Sequence, residues 1–276
     1  MMFRIGFCYI WGENDDPRPI FTRLKSLGYD GIELWDHTLN QRDFQYWKQL
    51  FDETGIACAQ LCPYFNFVDG QDLWDESMRV AERYINWSLQ LGNPIIRVFT
   101  GKPWGDGVVG PDDATQEQWD AAIRGLQRIC DMAAPHDIRF ALECHMGSLM
   151  EDTPNTLRLL NGVNRPNLGL NLQLPLKDGR EDVQTSLDSL GRYTWHMHSH
   201  NYSKLVGGEQ VYLSDGVMDY TSILTQLLTA GGFSGGYVSI EHGTYNGTRN
   251  PWEVAEHEAA YLIDLRKQLT ASLALQ

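Results

Sequence analysis

The chain has 276 residues, 42% of them hydrophobic and 21% charged, an ordinary globular composition with no disorder signature. Its formal net charge of −14 argues against nucleic acid as a partner, because such partners demand Lys/Arg surfaces that replace counterions. No apolar stretch reaches the ~20 residues of a membrane span, and the opening Met1-Met-Phe-Arg-Ile-Gly6 lacks the basic region, apolar core and cleavage site of a secretory leader.

Strand-like and helix-like segments alternate from end to end. The first strand is expected over about 3–9. Asp16-Pro17 then opens a helix with an apolar stripe of Ile20, Phe21, Leu24 and Leu27, and Gly28 ends it. Strands follow over about 30–35, 56–63 and 95–100. Gly105-Asp-Gly107-Val-Val-Gly110 spells a dinucleotide fingerprint, but Pro111 follows and no helix starts at its glycines, so no nucleotide role is read from it. Thr115-Gln-Glu-Gln118 is a capping box ahead of Trp119, Ala122, Ile123 and Leu126. A strand over about 138–145 leads to a short helix opened by Thr153-Pro154, carrying Leu157 and Leu160. The next strand, about 167–173, precedes the most poorly patterned helix, about 180–191, and then a strand over about 194–200. Ile223, Leu224, Leu227 and Leu228 run up to Gly231-Gly232 before the last strand, about 236–242. Asn250-Pro251 opens the final helix, with Val254, Tyr261, Leu262 and Leu265. Five irregularly spaced cysteines (Cys8, Cys58, Cys62, Cys130, Cys144) read as reduced thiols, and a cytoplasmic protein is expected.

Eight β-α pairs without a linker predict one (β/α)8 TIM barrel over 1–276, with an open doubly wound sheet as the alternative. Strand side chains alternate between faces, so Glu143 and His145 share a face, as do Asn171 and Gln173, and as do His196, His198 and His200. Barrel active sites lie at the C-terminal ends of the strands. Glu33 and Trp35, Arg97 and Phe99, Glu143, Gln173, His198 and Glu241 fall there, and the loops beyond add Trp11, Tyr64, Phe65, Lys102 and Trp104. A carboxylate facing inward on a buried strand is costly unless paired or metal-bound. Glu143 and Glu241 therefore read as metal-binding or catalytic, with an arginine-paired structural role as the alternative. His198 joins them by its company, while His196, one layer deeper, reads as a core hydrogen-bonding residue. His145 and His200 are candidates for substrate contact, and His242 points outward. Glu33 stands between a floor salt bridge and a cavity-edge contact. Aromatics such as Trp35, Phe65 and Trp104 around a polar floor suit the apolar faces of a sugar or polyol.

With these residues in place, the chain resembles the sugar phosphate isomerase/epimerase family of xylose isomerase-like barrels. Tagatose 3-epimerase, hydroxypyruvate isomerase, inosose dehydratase and endonuclease IV are relatives. The marks are Leu27-Gly-Tyr-Asp-Gly-Ile-Glu33-Leu, Arg97-Val-Phe-Thr-Gly101, Leu142-Glu143-Cys-His145, His196-Met-His198, Gly216-Val-Met-Asp219-Tyr and Ser239-Ile-Glu241-His242, in this order along nearly the whole chain. The resemblance implies one divalent ion (manganese, magnesium, zinc or cobalt) on Glu143, Gln173, His198 and Glu241. It also implies that Glu143 and Glu241 act as acid and base, while the reading of the residues themselves places His145, His200, Glu33, Trp35, Phe65 and Trp104 as candidates around the substrate. It implies epimerisation or isomerisation of a sugar, keto-sugar or polyol by proton transfer through an enediolate. A lyase or metal-dependent hydrolase on the same frame, or a non-catalytic sugar-binding protein, are the other readings. It implies neither nucleic acid nor membrane as partner and leaves room for a homo-oligomer. Gln173 stands where the family usually has Asp, Leu176 where a His often follows, and Asn201 where an Asp often follows the His-x-His segment. The lost charge at Gln173 implies a weaker ion site than usual.

Overall fold

The computed structural model describes residues 2–9, 15–92, 94–241, 243–245 and 247–274; Trp11 and His242 lie outside the described residues. Its strands are β1 (Arg4–Tyr9), β2 (Gly31–Trp35), β3 (Ala57–Cys62), β4 (Ile95–Val98), β5 (Phe140–Glu143), β6 (Leu168–Gln173), β7 (Thr194–Ser199), β8 (Asn201–Tyr202), β9 (Gln210–Val211) and β10 (Tyr237–Ile240). The order β1-β10-β7-β6-β5-β4-β3-β2 closes on itself as a barrel, and β8 and β9 form a separate antiparallel pair. The predicted barrel and all eight of its strands are present, each within a few residues of the sequence pattern.

By compactness the chain falls into two units, Met1–Ala59 with Gly191–Gln276, and Gln60–Leu190. In the first unit, β1 pairs in parallel with β2 and β10, and β10 with β7. The register sets Cys8 beside Glu33, Gly6 beside Ser239, and Ser239 beside His198. Helix Pro17–Leu27 starts as predicted, with the Asp16 side chain accepting from Arg18 N–H, and ends at Gly28, whose φ of 98° suits a residue without Cβ. It packs Phe21 against Phe51 and Trp47 of helix Phe44–Thr54, with ring centroids 5.3 and 6.3 Å away. Asn250 caps the last helix, Pro251–Leu273.

In the second unit, β4 pairs with β3 and β5, and β5 with β6. The capping box of Thr115 and Gln118 is formed on helix Gln116–Ala133. Helix Thr153–Val163 is capped by Asp152 with Pro154 in its first turn. The poorly patterned segment yields a short helix, Val183–Leu190, flanked by single 3-10 turns. Residues 105–110 are loop and turn, and the next helix begins only at Gln116.

Asn201 shows why the loop after β7 is not simple coil. Its Nδ2 donates to the carbonyls of Leu213 and Met218, at 2.8 and 2.9 Å, and its Oδ1 accepts from Tyr202 and Met218 N–H, both at 3.0 Å. All four amide contacts are local to the loop, so Asn at this position organises backbone where a family Asp is usual. Among the described residues, no helix is long and apolar enough to cross a membrane.

Glu258 of the last helix is fully buried, accepting from Leu213 N–H at 2.9 Å and from the Tyr245 hydroxyl. Burial pushes its carboxyl up to about 7 from the ordinary 4.5. Between those values the folded state binds more protons than the unfolded chain, so this group's contribution is full below 4.5 and is lost as pH rises through 7. At ~1.4 kcal/mol per unit the loss is on the order of 3 kcal/mol. Urea unfolding at pH 5 and pH 8 should show Glu258→Gln gaining steadily on the unmodified protein; parallel pH dependence in the two would refute the assignment.

Candidate active site

In the first unit, the C-terminal halves of β2, β7 and β10 present a connected set of buried acids and imidazoles. Period-two alternation puts His196, His198 and His200 on one face of the β7 segment. Glu33 on β2 is fully buried, and each of its oxygens meets an imidazole: Oε1 lies 2.7 Å from His196 Nε2 and Oε2 2.9 Å from His198 Nε2. Glu241, just beyond β10, brings Oε2 to 3.4 Å from His198 Nδ1 and 3.1 Å from His200 Nε2. Cys8 Sγ lies 3.9 Å from His198 Nε2. Burial alone would raise the Glu33 pKa, but His198 and His196 reverse this and hold the carboxyl well below its usual range. Burial depresses His196, which is therefore neutral at pH 7. Burial and the Glu33 charge keep the Cys8 thiol protonated.

In the second unit, Arg97 on β4 and Glu143 on β5 form an ion pair at 3.1 Å, both side chains buried. The guanidinium also donates to the carbonyls of Cys62 and Pro63, both at 3.2 Å. The rings of Tyr64 and Phe99 flank it, with centroids 4.8 and 4.7 Å from Cζ. Burial alone would lower the Arg97 pKa; the Glu143 carboxylate more than offsets that, and the cation persists. Deeper, Asn171 Nδ2 donates to Gln60 Oε1 at 3.3 Å. His145 Nδ1 sits 2.7 Å from the Met146 carbonyl, with its ring edge-on to Phe99 and Trp104 at 5.8 and 6.2 Å. Beyond the ends of β3 and β4 lies a cavity of about 360 Å³, lined by Tyr64, Phe65, Asn66, Lys102 and Trp104 among others. A larger groove, about 550 Å³ between Trp74 and Arg124, is lined by none of the candidate residues.

The sequence-predicted residues are thus sorted by their surroundings. Glu33, His198, His200 and Glu241 come together in the first unit. Glu143, His145 and Trp104 share the aromatic surround of Arg97 in the second. Gln173 is half-buried at the end of β6, and Trp104 is half exposed, as a residue meeting a ligand can be. Glu33 is fully buried with both oxygens on imidazoles, the arrangement of a floor ion pair. Phe65 is buried, stacked on Phe67 and edge-on to Phe140, and so belongs to the core as well as to the cavity wall. Trp35 is buried beside His37. The sequence reading missed Cys8 and Gln60 at the site and, while allowing Glu143 an arginine partner, did not name Arg97 as that arginine. Inward alternation of Arg97 on a strand that precedes the Glu143 strand was the available signal for the last.

In the first unit, the imidazole nitrogen of His198 and the carboxylate of Glu241 are donor types that fit a hard or borderline divalent cation. His198 Nδ1 and Glu241 Oε2 are close enough to share one ion. Gln173 supplies a dipole and no charge, and Arg97 already neutralises much of Glu143.

Comparison with known proteins agrees with the fold. The sequence matches the family model described as xylose isomerase-like TIM barrel over residues 21–265. It is 26% identical over 184 residues to a 3-dehydroshikimate dehydratase of Bacillus anthracis, covering 64% of this chain and 63% of the relative. It is 24% identical over 188 residues to a probable ketose 3-epimerase of Synechocystis sp., covering 65% of each. The chain therefore spans just under two thirds of the length of these curated relatives. A xylose isomerase-like TIM barrel protein from Mycobacterium smegmatis, solved in complex with magnesium, superposes with a TM-score of 0.76 at 14% identity over 97% of each chain; at that identity the likeness is one of fold.

Removing one partner of a buried ion pair strands the other charge, at a cost of about 3–5 kcal/mol. Arg97→Met should therefore be strongly destabilising in urea titrations. Arg97→Met with Glu143→Leu should recover much of the loss, since the stranded carboxylate is then gone; a double variant no more stable than the single would show that the pair is not coupled.

Proposed function

Because the chain belongs to the xylose isomerase-like TIM barrel family, we propose that it is a sugar isomerase or epimerase acting as one barrel domain on a keto-sugar or related polyol. The observation that carries this reading is the placement of two buried glutamates, Glu143 and Glu241, at strand ends, each beside a cationic or imidazole partner. The family relative that is a ketose 3-epimerase points the same way. Glu143, Gln173, His198 and Glu241 would hold a divalent ion, which when bound polarises a substrate carbonyl and offsets negative charge developing on its oxygen.

The chain's own groups do the rest. One of the two glutamates removes the proton α to the carbonyl, and the other returns a proton at the opposite face or the neighbouring carbon. His200 Nε2 lies 3.1 Å from Glu241 Oε2 and, when it carries a proton, favours one orientation of that carboxylate. Arg97 keeps Glu143 anionic until a proton is delivered to it. Trp104 and Tyr64, edge-on at 5.3 Å, offer apolar surface to the C–H face of the substrate and exclude water. All five cysteines are free and buried, which suits the cytoplasm.

A lyase is the second reading, supported by the relative that is a 3-dehydroshikimate dehydratase and by the aromatic surround of His145. The same carbanion would then expel its β-hydroxyl, which takes up a proton from the second glutamate and leaves as water, the electron pair forming the C=C bond. Incubation with ketoses and hydroxylated cyclic ketones in deuterated water with manganese separates the two. Deuterium at the α-carbon of an epimer marks the first, and an unsaturated product marks the second.

Replacing Glu241 or Glu143 by Gln should lower turnover at least ~100-fold. Melting curves taken alongside should show Glu241→Gln close to the parent and Glu143→Gln less stable, because Arg97 loses its partner. Near-normal turnover in either variant would remove that residue from the proton transfer.

Restoring the missing charge should strengthen the ion site, since ligand charge count tunes affinity. Gln173→Asp is expected to bind manganese roughly tenfold more tightly by calorimetric titration. An unchanged affinity would show that residue 173 does not hold the ion.

A further inference from the structure

One buried carboxylate takes no part in this proton transfer. Glu33 is fully buried. Its two oxygens are shared between two histidines of a single strand, Oε1 with His196 Nε2 and Oε2 with His198 Nε2. A neutral imidazole carries one N–H and one lone pair, and which nitrogen holds the hydrogen is set by its surroundings. An ionised carboxylate only accepts, so each nitrogen facing Glu33 must carry the hydrogen. The other ring nitrogen of His198, Nδ1, is then a bare acceptor. It lies 3.4 Å from Glu241 Oε2, which is also an acceptor. Two acceptors at that distance repel unless a proton or a cation lies between them.

We infer that Glu33 is a positioning residue, which locks His198 in its Nε2–H tautomer and so presents Nδ1 toward Glu241 as a lone-pair ligand. The ion that would use this ligand rests on the function proposed above; the tautomer does not. Outer-sphere carboxylates orient and strengthen metal-binding histidines in this way in general.

The local sequence makes the arrangement possible. Glu33 and His198 belong to strands separated by β1 and β10, so the carboxylate must cross two strands inside the barrel. Small residues clear that path. Gly6 is paired with Ser239, and a Cβ added at Gly6 would lie 2.8 Å from Ser239 Oγ. Cys8, beside Glu33 in register, is the remaining neighbour of His198 Nε2. At 3.9 Å its weakly donating S–H is a poorer partner for Nε2 than the Glu33 carboxylate at 2.9 Å, so it does not hold Nε2 as an acceptor.

Long-range ¹H–¹⁵N spectra of the full chain, labelled at histidine, test this directly, with signals assigned through His196→Gln and His198→Gln. At pH 7, His196 and His198 should both show a protonated Nε2 and an unprotonated Nδ1, and magnesium should shift Nδ1 of His198 alone. Glu33→Gln, whose amide donates as well as accepts, should lose the single tautomer at His198 and weaken magnesium and zinc binding roughly 10–100-fold. Glu33→Asp should retain the tautomer. A protonated Nδ1 or a full imidazolium at His198 in the unmodified protein would overturn the inference, and that spectrum decides the matter even where Glu33→Gln does not fold. Unchanged tautomer and affinity in a folded Glu33→Gln would overturn it as well. Failure of the unmodified protein to bind any divalent ion would sink the proposed ion site while leaving the tautomer to be judged on its own spectrum.

Discussion

Every charge buried inside this barrel must be answered by another group buried with it. That constraint is most severe at Glu33, whose two oxygens meet the Nε2 atoms of His196 and His198 and no solvent. A single carboxylate serving two imidazoles explains why β7 carries histidines at period two. A residue one place along the strand would point to the helical layer, away from Glu33. It also accounts for the small residues Gly6 and Ser239 that line the path to it. The same rule governs the second unit, where the Arg97 guanidinium answers Glu143 and its Nη2 donates to the carbonyls of Cys62 and Pro63.

These pairings shape the chemistry on offer. Buried carboxylates held by fixed donors lose little orientational freedom when a substrate arrives, which favours preorganised proton transfer. They also temper the affinity for a cation. A carboxylate already matched by an arginine attracts a divalent ion less than a bare one, and Gln173 adds no charge of its own.

Much of the architecture was readable from residue order alone. Alternation along the β5, β6, β7 and β10 segments separated Glu143, Gln173, His198 and Glu241 from their apolar neighbours, and Asp16-Pro17, Thr115-x-x-Gln118 and Asn250-Pro251 marked helix starts that the structure forms. Those signals are local: a period of two or a cap needs only a few consecutive residues. The β8–β9 pair and the role of Asn201 were not readable, because both depend on how a loop folds back on itself across about a dozen residues. Phe65 looked like a ligand-facing aromatic from its position after β3. Only the packing of Phe67 and Phe140 against it showed its core role.

By itself the sequence determined the fold class, the strand ends and which polar residues face inward, since each follows from short-range periodicity and the cost of burying polar groups. The tertiary structure alone decided who answers whom. Glu33 meets histidines 163 and 165 residues away, and Arg97 meets Glu143 across 46. Such partners are selected by strand order and register, which bring together side chains that no pattern along the chain connects.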